Sequence, residues 1–571
     1  MRNGLRIFSF GCSAAVLLLA GCKSASLPPK TSAAKSTRPA IEAKAPAPEP
    51  AEEPSPNRAE AFAHFATGIS YELNEKPALA LEEFFQAAVA DPANEQLVIE
   101  LARRFLGSKQ TDRALQVLTK AAERKKASGT IHAWLARAYL QGGRTNDALA
   151  TSQVAIKKSP ESLTGYQNVA EILYLSGKGR EVGQVLDLAA RQKTVDAGFL
   201  AGLADLYAKF SRAEPGQSDA VRPRAVEVLN RAVALKTGNP TTLQKIADNF
   251  VFFGERKQAA ELYLQLLEDP DLYVLRDLLH EKLVNIYLQG QDRVHAIEQL
   301  EAIVKDSPTR YPQAYYHLGS LAYQQDQYDK AEDYFNKALL LNPNFEQAYY
   351  DLAGMQINIH KPGDALRTLE KARGVFRQTF VSEFFSALAY SGLKNFTEAL
   401  THFTSAEVIA RATEPKRLNH QFYFQLAATY ERNHDYVEAE KYFEKCLELS
   451  PDYAEALNYL GYMWAERGVN LDKARGMIEK AVKLEPKNAA FLDSLGWVLF
   501  RLNQPKDALS YLLKAVELSK EPDPTLFDHV GDIYFALHEP AKAQEAWKKS
   551  LAIEPNDTIR KKLASAGQSK L

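Results

Sequence analysis

An alanine flanked by leucines and aromatics returns about every 34 residues through most of this chain, and a period of that length is the mark of stacked helix-turn-helix units. The clearest register is Gly68, Tyr71, Ala80, Phe84, Ala87 and Pro92. It returns as Tyr139, Ala148, Ala155, Pro160 and as Tyr287, Ala296, Leu300, Pro308. Further copies are Leu318, Gly319, Ala331, Phe335, Ala338, Pro343, then Tyr390, Ala399, Phe403, Ala406. Tyr430, Ala439, Phe443, Cys446, Pro451 and Gly531, Tyr534, Ala543, Trp547, Pro555 complete the series. The small residues let two helix axes approach while the aromatic fills the space beside them. The proline cannot donate the next backbone hydrogen bond, so it predicts the end of the second helix.

These residues resemble the tetratricopeptide repeat (TPR) pattern. The resemblance implies an all-α, right-handed superhelical solenoid of about fourteen helix-turn-helix repeats between residues 59 and 557, preceded by a disordered tether. The pattern is weakest over 163–196 and 197–238. It divides into an N-terminal segment 59–238, a middle segment 239–453, and a regular C-terminal segment with capping helix, 454–571. Glu214-Pro215-Gly216-Gln217-Ser218-Asp219 marks an insertion between two helices near 211–221, expected as a surface loop. A second irregularity at 406–419 is expected to lengthen a second helix before Pro415.

At the start, Arg2 and Arg6 precede an apolar run from Ile7 to Ala20, too short to span a bilayer comfortably, and residues 1–21 read as a secretion signal. The run closes on Leu19-Ala20-Gly21-Cys22, which resembles the lipobox of bacterial lipoproteins. That resemblance implies diacylglyceryl attachment at Cys22 and a palmitate-type acyl anchor; the alternative is an ordinary signal peptide with an incidental cysteine. Two or three acyl chains at about 0.8 kcal/mol per buried methylene would anchor the chain stably. Residues 22–58 turn to Ala, Pro, Ser, Lys and Glu, with Leu27 and Ile41 the only large aliphatics after Cys22. Such a segment cannot form a core, and at about 3.1 Å per residue it reaches on the order of 100 Å. Lys23 after the lipidated cysteine resembles the outer-membrane sorting choice, which implies an envelope location facing the periplasm.

Cys12 would leave with the signal and Cys22 would be acylated, so Cys446 is the one free thiol of the repeats. It stands where other units place alanine and reads as a small buried hydrophobe. The 70 Lys plus Arg balance 71 Asp plus Glu for a formal net charge of −1, which argues against a nucleic-acid partner. No His-Glu-x-x-His helix, Gly-x-Ser-x-Gly elbow, phosphate loop or Cys-x-x-Cys pair is present. The chain therefore reads as a non-enzyme with no cofactor and no metal. The nearest approach to a cluster is Asp528, His529 and Asp532; on a helix the two aspartates share a face and His529 points elsewhere.

In the resembled fold the first helix of each unit lines a concave groove. Carried onto this sequence, the groove positions hold Tyr316, Tyr323, Tyr350, Phe384, Phe424, Tyr462, Trp497, Phe500 and Phe535. This ladder suits apolar contact with an extended or helical peptide, with Gln313, Gln347, Gln421 and Asn358 supplying hydrogen bonds. The same rings also suit packing between adjacent first helices. Aromatics replace the lysine and asparagine of carboxylate-binding repeats, which counts against capture of a C-terminal carboxylate. The expectation is a membrane-anchored protein-interaction scaffold of the bacterial envelope, serving the assembly of an envelope or secretion machine. The alternative is a glycan- or peptidoglycan-binding lipoprotein, although only Trp497 of four tryptophans falls at a groove position.

Overall fold

The computed structural model describes residues 57–568. Among them the regular structure is entirely helical: twenty-nine α-helices and three short 3-10 turns. The signal, Cys22 and nearly all of the tether lie outside the described residues. Contacts divide the chain into two compact units, one ending at Ala302 and the other beginning at Ile303.

In the first unit α1 (Arg58–Leu73) pairs with α2 (Pro77–Ala90), α3 (Glu95–Gly107) with α4 (Thr111–Ala122), and α5 (Gly129–Gln141) with α6 (Thr145–Lys158). Then come α7 (Leu163–Leu175) with α8 (Gly179–Ala190), α9 (Ala197–Ala213) with α10 (Ser218–Ala234), and α11 (Pro240–Phe252) with α12 (Arg256–Leu267). Next are α13 (Arg276–Gln289) and α14 (Arg293–Asp306), within which the division falls.

The second unit continues with α15 (Pro312–Gln324) and α16 (Tyr328–Leu341), α17 (Glu346–Asn358) and α18 (Pro362–Arg373), and α19 (Phe380–Gly392) and α20 (Phe396–Thr413). It ends with α21 (His420–Arg432) and α22 (Tyr436–Leu449), α23 (Ala454–Arg467) and α24 (Leu471–Leu484), α25 (Ala489–Arg501) and α26 (Pro505–Leu518), and α27 (Pro524–Ala536) and α28 (Pro540–Ile553). The helix α29 (Asp557–Gln568) packs on α28 and is the last described helix. The expected fourteen pairs are thus present among the described residues.

The physical basis is the one the spacing implied. Ala331, Ala399, Ala439, Ala508 and Ala543 are all fully buried at the crossing of their pair. At Gly496 a β-carbon would come within 2.8 Å of Leu512 and 3.0 Å of the Ala508 carbonyl oxygen, so the α25–α26 crossing has no room for a side chain. In the weakest unit Val182 takes the place of that alanine. The prolines act as expected: α2 stops at Ala90 before Pro92, α16 at Leu341 before Pro343, and α22 at Leu449 before Pro451.

The turn within each pair follows one geometry that residue types alone did not reveal. After the first helix one residue takes a left-handed conformation in every pair but the fifth, as in Glu75, Lys109, Gly143, His360, Lys394 and His538, and the twelfth pair has two, Gly468 and Asn470. The next amide then donates back across the turn, Lys361 N–H to Gln356 O at 2.8 Å and Asn395 N–H to Tyr390 O at 3.0 Å. This is the Schellman closure, which satisfies carbonyls the helix end leaves open.

The fifth pair departs from this and corrects the expected loop at 211–221. Both of its helices lengthen to 17 residues and meet through a single 3-10 turn, Pro215–Gln217. Ser211 and Ser218 hydrogen-bond across the turn at 2.7 Å and Val221 is buried, while Arg212, Ala213, Pro215, Gly216, Asp219 and Ala220 stay exposed, so the insertion lies at the surface as expected but is helical. The irregularity at 406–419 takes the expected form: α20 runs for 18 residues and a 3-10 turn follows at Pro415–Arg417.

Candidate functional site

Every groove residue named from the sequence lies on a first helix of the second unit, from α15 to α27. Each ring but Phe535, which lies on the last first helix, belongs to a helix followed by another first helix, and burial separates those that can meet a partner from those that cannot.

Tyr316 and Tyr323 on α15 are half-buried and join α15 to α17. The Tyr316 hydroxyl donates to Asp351 Oδ2 at 2.6 Å, and Asn358 Nδ2 donates to the Tyr323 hydroxyl at 2.7 Å. Both bonds span 35 residues, close to the repeat length, so they recur where one first helix meets its successor. Gln347 also donates to Asp351, at 2.8 Å. Burial pushes the Asp351 carboxyl above its ordinary value, and the bonds from Tyr316 and Gln347 oppose that shift.

Tyr350 is only 6 % exposed, and this corrects its assignment as a partner contact. Its hydroxyl donates to Glu346 Oε1 at 2.9 Å and accepts from Thr379 Oγ1 at 3.3 Å, so ring and hydroxyl are both committed inside the fold. Phe384 lies parallel to Phe380 at 5.5 Å and sits within 5.9 Å of Phe403 and Phe422, a nest that holds α19, α20 and α21 together. Phe424 meets Tyr453 and Tyr459 edge-on at 5.4 and 5.8 Å. Phe384 and Phe424 each keep one edge accessible.

The far end of the groove is organised by a pair that the sequence did not reveal. His529 Nδ1 and Asp493 Oδ1 are 2.9 Å apart, both residues buried, and Trp497 lies flat on the His529 ring at 4.0 Å. Burial works against charge on His529, but the Asp493 carboxylate, its hydrogen bond, and the charges of Glu466 and Asp528 raise the imidazole above its ordinary value. Trp497 is 9 % exposed with its indole N–H buried and unpartnered, so this second ring is also corrected to a packing role. Tyr462 and Phe500 flank the stack, their rings 6.3 Å from His529 and 5.4 Å from Trp497. Phe535, at 43 % exposure, is the most open ring of the nine.

As expected, Asp528 and Asp532 share a face while His529 turns away. Lys562 of α29 bonds to Asp528 at 2.9 Å and to Asp532 at 2.6 Å, and Trp547 Nε1 donates to Asp532 at 3.1 Å. The two carboxylates therefore fasten the capping helix. Cys446 is fully buried, and burial pushes its thiol up to about 12, as suits the small core residue expected there.

A second buried ionic group lies behind the groove. Glu383, 1 % exposed, faces Arg373 Nη2 at 3.2 Å and His402 Nδ1 at 2.6 Å, with Tyr390 stacked on His402 at 5.3 Å. Its partners come from α18 and α20, so it locks two second helices to the first helix between them. The sequence signal for it was Glu383 at an otherwise apolar position.

Models of the tetratricopeptide repeat match residues 105–170, 312–345 and 411–561. None of the curated proteins matches the chain. Among solved structures, the APC/C hetero-tetramer Cut9-Hcn1 is 16 % identical with a TM-score of 0.38, covering 83 % of this chain and 96 % of that one. Yeast Tom70 is also 16 % identical, with a TM-score of 0.31 and coverage of 83 % and 95 %. A tetratricopeptide repeat protein from Parabacteroides merdae is 18 % identical, TM-score 0.33, over 51 % of this chain and 98 % of its own. With fourteen helix pairs among the described residues, a small residue at every crossing but the one at Val182, and repeat matches in both units, the chain is a tetratricopeptide repeat protein.

Proposed function

We propose that this protein is a protein-interaction scaffold tethered to a bacterial envelope membrane through acylated Cys22, holding a partner protein or peptide along the first helices of its second unit. The observation that carries the groove reading is the row of rings with accessible edges, Tyr323, Phe384, Phe424, Tyr462, Phe500 and the open Phe535, set beside exposed Gln347 and half-buried Gln421. Amphipathic rings with neighbouring amides suit a peptide that offers both apolar side chains and backbone hydrogen-bonding groups. Among the described residues no helix is long and apolar enough to cross a membrane, so the anchoring role rests on the lipobox-like Leu19-Ala20-Gly21-Cys22. A location facing the periplasm and a part in assembling an envelope machine are extensions of the same reading.

The glycan-binding alternative depends on a tryptophan face open to a sugar ring. Trp497 instead lies against His529, which leaves that alternative without support in the groove. Membrane fractionation of Cys22→Ser tests the anchor: release into the soluble fraction is expected, and unchanged membrane retention would reject acylation. For the groove, in-cell cross-linking with Phe535→Ala and Phe424→Ala should lose a partner band that the parent chain captures. Retention of every band would reject the groove as the contact surface.

A further inference from the structure

The helix α1 is apolar on two opposite faces. Ala61 and Gly68 are buried against α2, where a β-carbon on Gly68 would come within 2.6 Å of Phe84. The opposite face carries Ala59, Phe62, Ala66, Ile69 and Leu73, all exposed, Phe62 by 62 % and Leu73 by 80 %. These positions alternate by three and four residues, the spacing of a two-helix seam. Arg58, Phe65 and Glu72 run along one edge of that seam at seven-residue intervals, with Ala63 and Ser70 on the other. The preceding segment, Lys23 to Pro56, offers only Leu27 and Ile41 as large aliphatic residues, too few to cover the seam.

We propose that α1 is a dimerisation helix that packs antiparallel against α1 of a second copy, on a two-fold axis passing beside Ala66. The sequence of the seam is complementary to itself in that register. Ala66 meets Ala66 and lets the axes approach, Phe62 meets Ile69, and Ala59 leaves room for Leu73. Arg58 of each copy reaches Glu72 of the other, an opposite-charge pair at both ends of the contact. Glu72 is half exposed and has Arg104 at 3.7 Å, so one oxygen is within reach of a cation while the group stays open to a second. A parallel pairing would set Arg58 against Arg58 and Leu73 against Leu73, and loses both kinds of match. A membrane surface suits the helix less well, because Arg58 and Lys76 at the two ends of the apolar stripe are balanced by Glu72 and Glu75 and leave no basic excess.

The test uses the full chain in mild detergent, with Cys12→Ser and Cys22→Ser to exclude association through acyl groups or those thiols. Sedimentation velocity should give a dimer across the micromolar range, and Ala66→Glu should weaken it about a hundredfold or more by facing two carboxylates at the axis. Arg58→Glu should weaken the dimer, and adding Glu72→Arg should restore it. Ala66→Cys should give a disulfide-linked dimer on oxidation, since Cys446 is buried. The proposal is overturned by a monomeric parent chain, by a dimer indifferent to Ala66→Glu, by failure of the charge exchange to restore association, or by a monomer that binds phospholipid vesicles through α1. Circular dichroism of each variant separates loss of association from loss of folding.

Discussion

Trp497 lies on His529 with ring centroids 4.0 Å apart and planes 15° from parallel, so the imidazole is shielded by an indole on one side while Asp493 holds its edge. A positive charge on His529 is favoured by the carboxylate and by the indole face together.

This contact should make the stability of the last repeats depend on pH. His529 is raised in the folded chain above its ordinary value of 6.5, and a raised base contributes stability fully below the unfolded value, losing it as pH rises through the folded one. The C-terminal repeats should therefore be more stable at about pH 6 than at about pH 8. Hydrogen exchange of α25 and α27 at the two pH values measures this. Asp493→Asn should flatten the dependence, and an unchanged slope in that variant would assign the effect to another group.

Burial distinguishes two kinds of groove ring. Tyr350→Ala empties a buried site and should cost about 3 kcal/mol or more in denaturant unfolding. Phe535→Ala removes an exposed ring and should cost less than about 1 kcal/mol while lowering partner capture. Equal losses of stability would show that Phe535 also serves packing.

The helix crossing at Gly496 leaves no space for a methyl group, since Leu512 and the Ala508 carbonyl would both lie at 3.0 Å or less. Gly496→Ala should destabilise by about 1–3 kcal/mol, read by thermal melting. A neutral result would mean that α25 and α26 separate at little cost.

His360 occupies the left-handed turn position of its pair with φ near 60°, where other pairs use Gly143, Gly177, Gly254 or Gly468. Its side chain is exposed, so His360→Gly removes backbone strain without emptying the core. The variant should gain about 0.5–1 kcal/mol, because relief of the β-carbon clash exceeds the added freedom of the unfolded chain. His360→Val should lose stability by comparison.

The pairing of helices was readable because packing demands small side chains at each crossing, and Ala331, Ala399 and Ala508 repeat that demand in phase. The turn geometry was not, because Glu75, Lys109, Asp326 and Lys394 adopt the left-handed region under tertiary constraint with no glycine to announce it. The insertion near 211–221 misled for a related reason. Pro215 and Gly216 are turn residues, yet one 3-10 turn suffices, and the remaining length goes into helix.

The aromatic ladder was legible as a set of positions but not as a surface. A ring such as Tyr350 occupies a groove position in register, but its burial and the bond from Thr379 of the next pair to its hydroxyl appear only in the folded chain. The Asp493–His529 contact spans 36 residues. A search for polar residues separated by one repeat length plus one or two would have found it, together with Tyr316–Asp351 and Tyr323–Asn358.

Lys562 neutralises Asp528 and Asp532 from the closing helix, and that clasp bears on how such an array grows in evolution. A new pair inserted after α28 would have to evict the lysine and strand two acids between apolar layers. A pair duplicated in the interior only repeats junctions that already fit, so the array can gain length from its middle while its last junction stays unchanged.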